Sequence, residues 1–532
     1  MTGCISTGNR KVMSSIRKLP IGLQDFEDLR NSDYLYVDKT SYIYHLVTTG
    51  KPYFLGRPRR FGKSLLLSTI KAYFLGKKEL FEGLAIGKLE KEWIEYPVFY
   101  IDFNVESYLN SASLYSALNT NLCLLEEKWR KNEEEETPAA RLTGLIRRAY
   151  EQTGRQIVVL VDEYDKPLLD SLDEPNVGNE MRKILKGFYG VLKSADAYLR
   201  FVFLTGVTKF SKVSIFSDLN HLVDISLDEN YAGICGISES ELTDNFQSEI
   251  IALAEKQQLT YEETLSKLKK HYDGYHFAKK SEGMYNPFSL LNTFAKNDFN
   301  DYWFATGTPT FLVSMLKNLD FDITNLECDI TFPARSVTDY RSENNNPIPV
   351  LYQAGYLTIK GYDKRFDEYI LGFPNEEVKY GFLNELYPAY MPKPDVQGDF
   401  NVVNFIKDLF ANNVDGFMNR LKAFFAGIPY ELNNKEEKHY QTVFYLLFKL
   451  MGQFVEAEHR SAIGRADAVV ITDDTVFVFE FKLTGNGTAE DALQQIDDKN
   501  YLIPFSAGSK KLVKVGAEFS VEERVPVRWI VA

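Results

Sequence analysis

The feature that most constrains this chain is one stretch, Phe54-Leu-Gly56-Arg57-Pro-Arg59-Arg60-Phe-Gly62-Lys63-Ser64-Leu65-Leu-Leu67. It runs from an apolar strand through a glycine-bounded loop into an amphipathic helix that opens at Gly62-Lys63-Ser64. A helix start exposes amide N–H groups that lack intrahelical acceptors, and the helix dipole adds positive potential there. A strand-loop-helix of this kind is therefore suited to hold an anion. On this reading the backbone from Gly56 to Leu65 wraps phosphates, Lys63 meets the β and γ oxygens of ATP, and the Ser64 hydroxyl is offered to Mg²⁺. The general pattern GxxxxGK[ST] would put its first glycine at position 57, where Arg57 stands, with Gly56 one residue earlier. Either the loop is one residue longer or Arg57 replaces the glycine. A bare Gly-Lys-Ser also fits a kinked turn with a surface lysine, but Arg57, Arg59 and Arg60 weigh against that. Three guanidinium groups beside a helix N-terminus repel one another unless an anion lies between them.

Two further strands fit the same sheet. Gln156-Ile-Val-Val-Leu-Val-Asp162-Glu163 sets five apolar β-formers directly before two carboxylates, the pattern of a strand buried on both faces. Asp162 is the candidate for holding the metal, and Glu163 for the general base acting on an attacking water. Phe201-Val-Phe-Leu-Thr205-Gly is expected between the other two strands. Its polar tip, Thr205, is the candidate γ-phosphate contact, with Thr208 and Lys209 as alternates.

Strand-like runs at 53–55, 98–103, 157–161 and 201–205 alternate with helical patterns such as Lys63–Phe74 and Ser113–Arg130. This alternation predicts an α/β domain with a parallel sheet over residues 19–235. Thr260 and Glu263 form a capping-box signature inside a helical lid expected over 236–340. A connecting segment is expected over 341–399, a second α/β domain over 400–532, and a polar leader over 1–18. A chain of 532 residues exceeds one hydrophobic core, so several domains are required. The four cysteines are far apart and form no metal spacing, which suits reduced thiols in a cytoplasmic protein. No run of eighteen apolar residues exists, so no membrane-spanning helix is expected. The net charge of -13 excludes a uniformly basic nucleic-acid coat but not a local basic cleft.

The C-terminal region carries a second constellation. Asp467 precedes Ala468–Ile471, and Val476–Leu483 contains Glu480 and Lys482. If Asp473-Asp474 is a two-residue hairpin loop, Thr472 pairs with Thr475 and Asp467 falls opposite Glu480. Directly opposed residues have Cβ atoms about 4.5–5.5 Å apart. Strand period puts Glu480 and Lys482 on one face, and Phe477, Phe479, Phe481 and Leu483 on the core face. Two acids and a lysine among apolar strands suit a divalent metal between Asp467 and Glu480, with Lys482 orienting water or stabilising phosphate charge. A surface Glu480–Lys482 ion pair is the simpler alternative. Gln495, on the following amphipathic helix, is placed to lean toward the site. Lys499 and Tyr501 are candidates for reaching a phosphate, and Glu437 for a further acid.

Several segments together resemble a known family. Pro20-Ile-Gly-Leu-Gln-Asp25-Phe, Tyr36-Val-Asp38-Lys39-Thr40, Arg57-Pro-Arg-Arg-Phe-Gly62-Lys63-Ser64, Leu204-Thr-Gly-Val-Thr-Lys-Phe and His271-Tyr-Asp-Gly-Tyr-His-Phe look like the AAA-ATPase-like proteins common in Bacteroides-type and other anaerobic bacteria. Gly464-Arg-Ala-Asp467, Glu480-Phe-Lys482 and Ala-Leu-Gln-Gln495-Ile are similar to the PD-(D/E)XK nuclease domain that such proteins carry. Ala466 stands where the usual motif has proline. The resemblance implies nucleotide binding by Lys63 and Ser64, and DNA cleavage by Asp467, Glu480 and Lys482. The expected function is an ATPase joined to a Mg²⁺-dependent DNA nuclease, in DNA processing or defence against mobile DNA. The alternative is a regulatory ATPase whose nuclease-like domain binds DNA or a partner without cutting. A homo-oligomer is left open.

Overall fold

A computed structural model describes residues 17–172, 174–209, 222–306, 310–319, 321, 323–326, 330–337, 346–390, 402–426, 437–452, 456–458, 466–520 and 522–532. The chain divides into two compact units, one of residues 1–306 and 330–375, the other of 307–329 and 376–532.

In the first unit, β1 (Pro52–Gly56), β2 (Val98–Asp102), β3 (Ile157–Asp162), β4 (Leu199–Gly206) and β5 (Val223–Asp224) form one sheet in the order β2-β3-β4-β1-β5. Every neighbouring pair is parallel. All six residues of β3 are buried, as its unbroken apolar run requires of a strand with helices on both faces. The helix Lys63–Phe74 buries Leu66, Leu67, Ile70 and Phe74. The helix Pro138–Thr153 starts at the Thr137 cap with proline in its first turn and stops at Gly154, whose φ of 63° few other residues adopt cheaply. β4 lies between β1 and β3, so the loop after β1 and the carboxylates after β3 share the carboxyl edge of the sheet. Open parallel sheets place ligands in the crevice at that edge.

Beyond β5, the helices Glu239–Asn245, Gln247–Gln257, Tyr261–Tyr272 and Pro287–Lys296 pack around Phe246, Ile250, Leu253, Leu268 and Tyr272. The Thr260 and Glu263 capping box starts the third of them. A small antiparallel sheet follows, in which β6 (Ile330–Pro333), β7 (Thr358–Asp363) and β8 (Glu368–Gly372) lie in the order β6-β8-β7.

The second unit holds β9 (Glu456–Glu458), β10 (Ala468–Ile471), β11 (Thr475–Leu483), β12 (Lys511–Phe519) and β13 (Pro526–Val531) in the order β13-β12-β11-β10-β9. Only β11 and β12 pair in parallel. On one face Phe477 and Phe479 pack with Phe417, Leu421 and Phe448 from the helices Val414–Ala426 and Glu437–Met451. On the other, Val476 and Val478 pack with Ile496 from the helix Ala489–Asp498. The chain is therefore α/β in both units, a P-loop-like parallel sheet followed by a mixed sheet. Among the described residues, no helix is long and apolar enough to cross a membrane.

Candidate functional site

Gly62, at φ 90°, caps the helix Lys63–Phe74 from a left-handed conformation. The first intrahelical bond runs from the Leu66 amide to the Gly62 carbonyl at 3.0 Å. The amides of Lys63, Ser64 and Leu65 therefore have no intrahelical acceptor. Arg59, Arg60, Gly62, Lys63, Ser64 and Leu65 line a cavity of about 380 Å³ that also takes in Glu163. Lys63 is only 5% exposed, and its Nζ donates to the carbonyls of Arg57 at 3.0 Å and Pro58 at 3.1 Å.

Arg57 goes elsewhere. Its buried guanidinium donates to the carbonyls of Gly56 at 2.9 Å, Ser226 at 2.8 Å and Tyr231 at 3.1 Å, and lies 4.1 Å from the centre of the Phe277 ring. Gly56 likewise donates its N–H to Ser226 Oγ at 2.8 Å. These two residues tie the end of β1 to residues 226–231, while Arg59 and Arg60 face the cavity. The rest of the loop is also engaged. Pro58 lies so close to Gly355 that a Cβ there would stand 2.7 Å from Pro58 Cβ. The Arg59 carbonyl accepts from Trp303 Nε1 at 3.2 Å. The Arg60 guanidinium lies 4.9 Å from the Phe288 ring centre, and Phe61 meets Tyr275 edge-on at 4.7 Å. Every residue from Arg57 to Phe61 thus touches the part of the unit that follows β5.

The Asp162 carboxylate, 4% exposed, accepts from Thr205 Oγ1 at 2.7 Å, from the Glu163 amide at 3.1 Å and from the Tyr100 hydroxyl at 3.4 Å. The buried Thr205 hydroxyl is therefore engaged by Asp162 and does not line the cavity. Of the alternates, Thr208 is buried, and Lys209 Nζ bonds Asp224 Oδ2 at 2.7 Å. Glu163 occupies a left-handed turn, φ 49°, and lines the cavity.

Asp165, which no sequence motif marks, fixes this turn. Its buried carboxylate accepts from the amides of Val207 at 3.0 Å and Thr208 at 2.5 Å. The Tyr164 hydroxyl donates to the Thr208 carbonyl at 2.7 Å. Gly206 is required there, since a Cβ would stand 2.4 Å from Asp165 Oδ1. Burial, with Glu163 adding repulsion, pushes the Asp165 carboxyl up to about 7. An acid three residues past a fully buried strand was the available signal, because such a group must find donors near the strand end.

In the second unit the hairpin register is the one that a two-residue loop dictates: Ala468 pairs with Phe479 and Ile471 with Val476, and the Thr472 amide donates to the Thr475 carbonyl at 2.8 Å. Asp467 and Glu480 are the next positions along, and Asp467 Oδ2 accepts from the Phe481 amide at 2.7 Å. Glu480 is 3% exposed. Its Oε1 accepts from Gln495 Nε2 and lies 3.5 Å from Lys482 Nζ, which also donates to Gln495 Oε1. Tyr501, which follows the helix Ala489–Asp498 in the chain, is buried on the same face as Ile496. Glu480 Oε2 is buried without a hydrogen-bond partner. Burial, reinforced by the Asp467 charge, pushes the Glu480 carboxyl up to about 7. A buried carboxylate oxygen lacking a partner beside a second carboxylate is what a divalent cation would satisfy, so the residues fit a metal. Among the described residues no three His, Cys, Asp or Glu side chains gather. The side chain of Glu437 and the residues Gly464 and Arg465 lie outside the described residues.

Gly516 on β12 pairs with Glu480 and lets the helix Ala489–Asp498 approach, since a Cβ there would stand 2.3 Å from the Ala489 carbonyl oxygen and 2.8 Å from the Leu493 amide nitrogen. Both contacts are backbone, so the helix must shift. Gly516→Ala is expected to cost about 2–3 kcal/mol, the upper part of the overpacking range, and to draw Gln495 off Glu480. Thermal melting checks the first effect, and an unchanged melting temperature would contradict it.

Residues 20–216 match the family model described as predicted AAA-ATPase, and residues 435–529 match that of the PD-(D/E)XK nuclease superfamily. The chain is also 38% identical over 531 residues to an Azotobacter chroococcum mcd 1 protein described as "Uncharacterized protein in vnfD 5'region". The match covers 97% of this chain and 99% of that one.

Proposed function

This chain belongs to the predicted AAA-ATPase-like family that carries a C-terminal PD-(D/E)XK nuclease-superfamily domain, and from that premise we propose that it hydrolyses ATP and cuts DNA. The observation that carries the reading is that Lys63, Ser64 and Glu163 line one cavity of about 380 Å³, inside the range of about 300–1,000 Å³ common for ligand clefts. Lys63 and the amides of residues 63–65 hold the phosphates. Ser64, which lines the cavity, and Asp162, at the end of β3 next to the cavity-lining Glu163 though not itself in the wall, would hold Mg²⁺, as Asp467 and Glu480 would in the second unit. A divalent cation at either place supplies positive charge to a phosphate and lowers the pKa of a water. Glu163 accepts the proton of the water whose oxygen bonds the γ-phosphorus while the bond to the ADP oxygen breaks. Thr205 acts through Asp162, holding the carboxylate that it donates to. In the C-terminal site Lys482 and Gln495 orient around Glu480, and Lys482 stabilises charge developing on a DNA phosphate.

Glu163→Gln is expected to keep ATP binding and to lower turnover by about a hundredfold or more, in line with loss of a positioned base. Comparing nucleotide affinity with phosphate release checks this, and wild-type turnover would remove Glu163 from the role. Incubating the full chain with ATP, Mg²⁺ and supercoiled, linear or single-stranded DNA tests the whole reading. Phosphate release with DNA products supports it. ATP turnover with intact DNA of every form favours the second reading, a regulatory ATPase whose nuclease-like domain holds DNA or a partner. That second reading is supported by the contacts that Gln495 and Lys482 already make to Glu480 Oε1, which would hold the site together without a metal. A role in DNA processing or in defence against mobile DNA is the setting we propose for the two activities together.

A further inference from the structure

Arg59 and Arg60 are both exposed and line the cavity, and Arg60 also lies against a ring of a neighbouring helix. Arg57 is buried among carbonyls, and Phe61 is packed among aromatic rings. Arg60 is exposed, lines the cavity with Lys63 and Ser64, and has no carboxylate partner among the described residues. Its backbone is held at φ 67°, a conformation that is uncommon for a residue with a Cβ and that clusters at ligand clamps. Its guanidinium lies 4.9 Å from the Phe288 ring centre, in the first turn of the helix Pro287–Lys296. Phe288 lines the same cavity.

We infer that Arg60 senses the terminal phosphate of the bound nucleotide, exchanging the Phe288 ring for that phosphate and so reporting to the helix Pro287–Lys296 whether ATP or ADP is present. The inference rests on the nucleotide reading of the cavity. An exposed cation–π contact is weaker than a charge-assisted, two-pronged pairing of guanidinium with phosphate, so the phosphate wins when it is within reach. ADP lacks that group, and Arg60 then keeps the ring. Because Arg59 is joined to Trp303 and Phe61 to Tyr275, the loop backbone has few other ways to move. The exchange is therefore confined to a side chain and to the helix it leaves.

The test measures binding of a non-hydrolysable β,γ-methylene analogue of ATP and of ADP to the full chain, with thermal melting as a folding control. Arg60→Ala is expected to weaken the analogue by about tenfold or more while changing ADP by less than about threefold. Phe288→Leu, which removes the competitor, is expected to tighten the analogue about two- to fivefold, and to do nothing in the Arg60→Ala background. Equal weakening of both nucleotides by Arg60→Ala, or no change in either, overturns the sensor. So does Phe288→Leu that leaves the analogue at its wild-type affinity. If the wild-type chain binds neither nucleotide, the reading of the cavity falls, and the sensor with it.

Discussion

Lys63→Ala is expected to abolish ATP turnover, lowering kcat by about a thousandfold or more, in a protein that still folds. Loss of one preorganised donor to developing charge costs about 10²–10³ in rate, and Lys63 carries a full charge in a nearly buried position. Its ammonium is held by the carbonyls of Arg57 and Pro58, which leaves one N–H to donate to a phosphate. Removing it frees two carbonyls beside the cavity, where water replaces the lost donor, so the cost in stability is small. Phosphate release, nucleotide affinity and circular dichroism measured together check this. A variant retaining a tenth of wild-type turnover would remove the loop from the mechanism.

The second large effect concerns Glu480→Gln, which is expected to eliminate DNA cleavage and at the same time to stabilise the metal-free protein above pH 7. The folded-state carboxyl is raised to about 7 from an ordinary 4.5. Below pH 4.5 both states carry the proton and the residue costs nothing. As pH rises toward 7 the unfolded chain ionises first, so the folded state loses ground, and above 7 the penalty is complete at about 3 kcal/mol. Glutamine removes the charge and retains a shape able to bond Gln495. Melting in a chelator should show the variant more stable at pH 8 and equal to wild type near pH 4.5, while plasmid nicking with Mg²⁺ is lost. Cleavage at the wild-type rate by this variant would end the nuclease reading.

Local pattern carried much of this architecture. The strand runs around 53–55 and 157–161 became β1 and β3, and the C-terminal hairpin register followed from loop length and a constant sum of paired positions. Both are short-range consequences of strand period and turn geometry. What stayed hidden depends on partners far along the chain. The destination of the Arg57 side chain is set by carbonyls at Ser226 and Tyr231, and the tie between Thr205 and Asp162 by strand order. The approach of Gln495 to Glu480 needs Gly516 on a strand that follows the helix. No window of residues around the motifs contains that information.

β1 pairs only with β4 and β5, both synthesised long after it. During vectorial synthesis the phosphate loop therefore emerges as an unpaired segment, and closing it onto its neighbours carries the entropy of a long intervening chain. Arg57 gains its Ser226 and Tyr231 carbonyl partners only once those residues have left the ribosome, and the cavity wall is completed only when residues through Leu291 have followed. Truncations that stop short of Leu291 are expected to leave the cavity without part of its wall, however much of the familiar loop they keep.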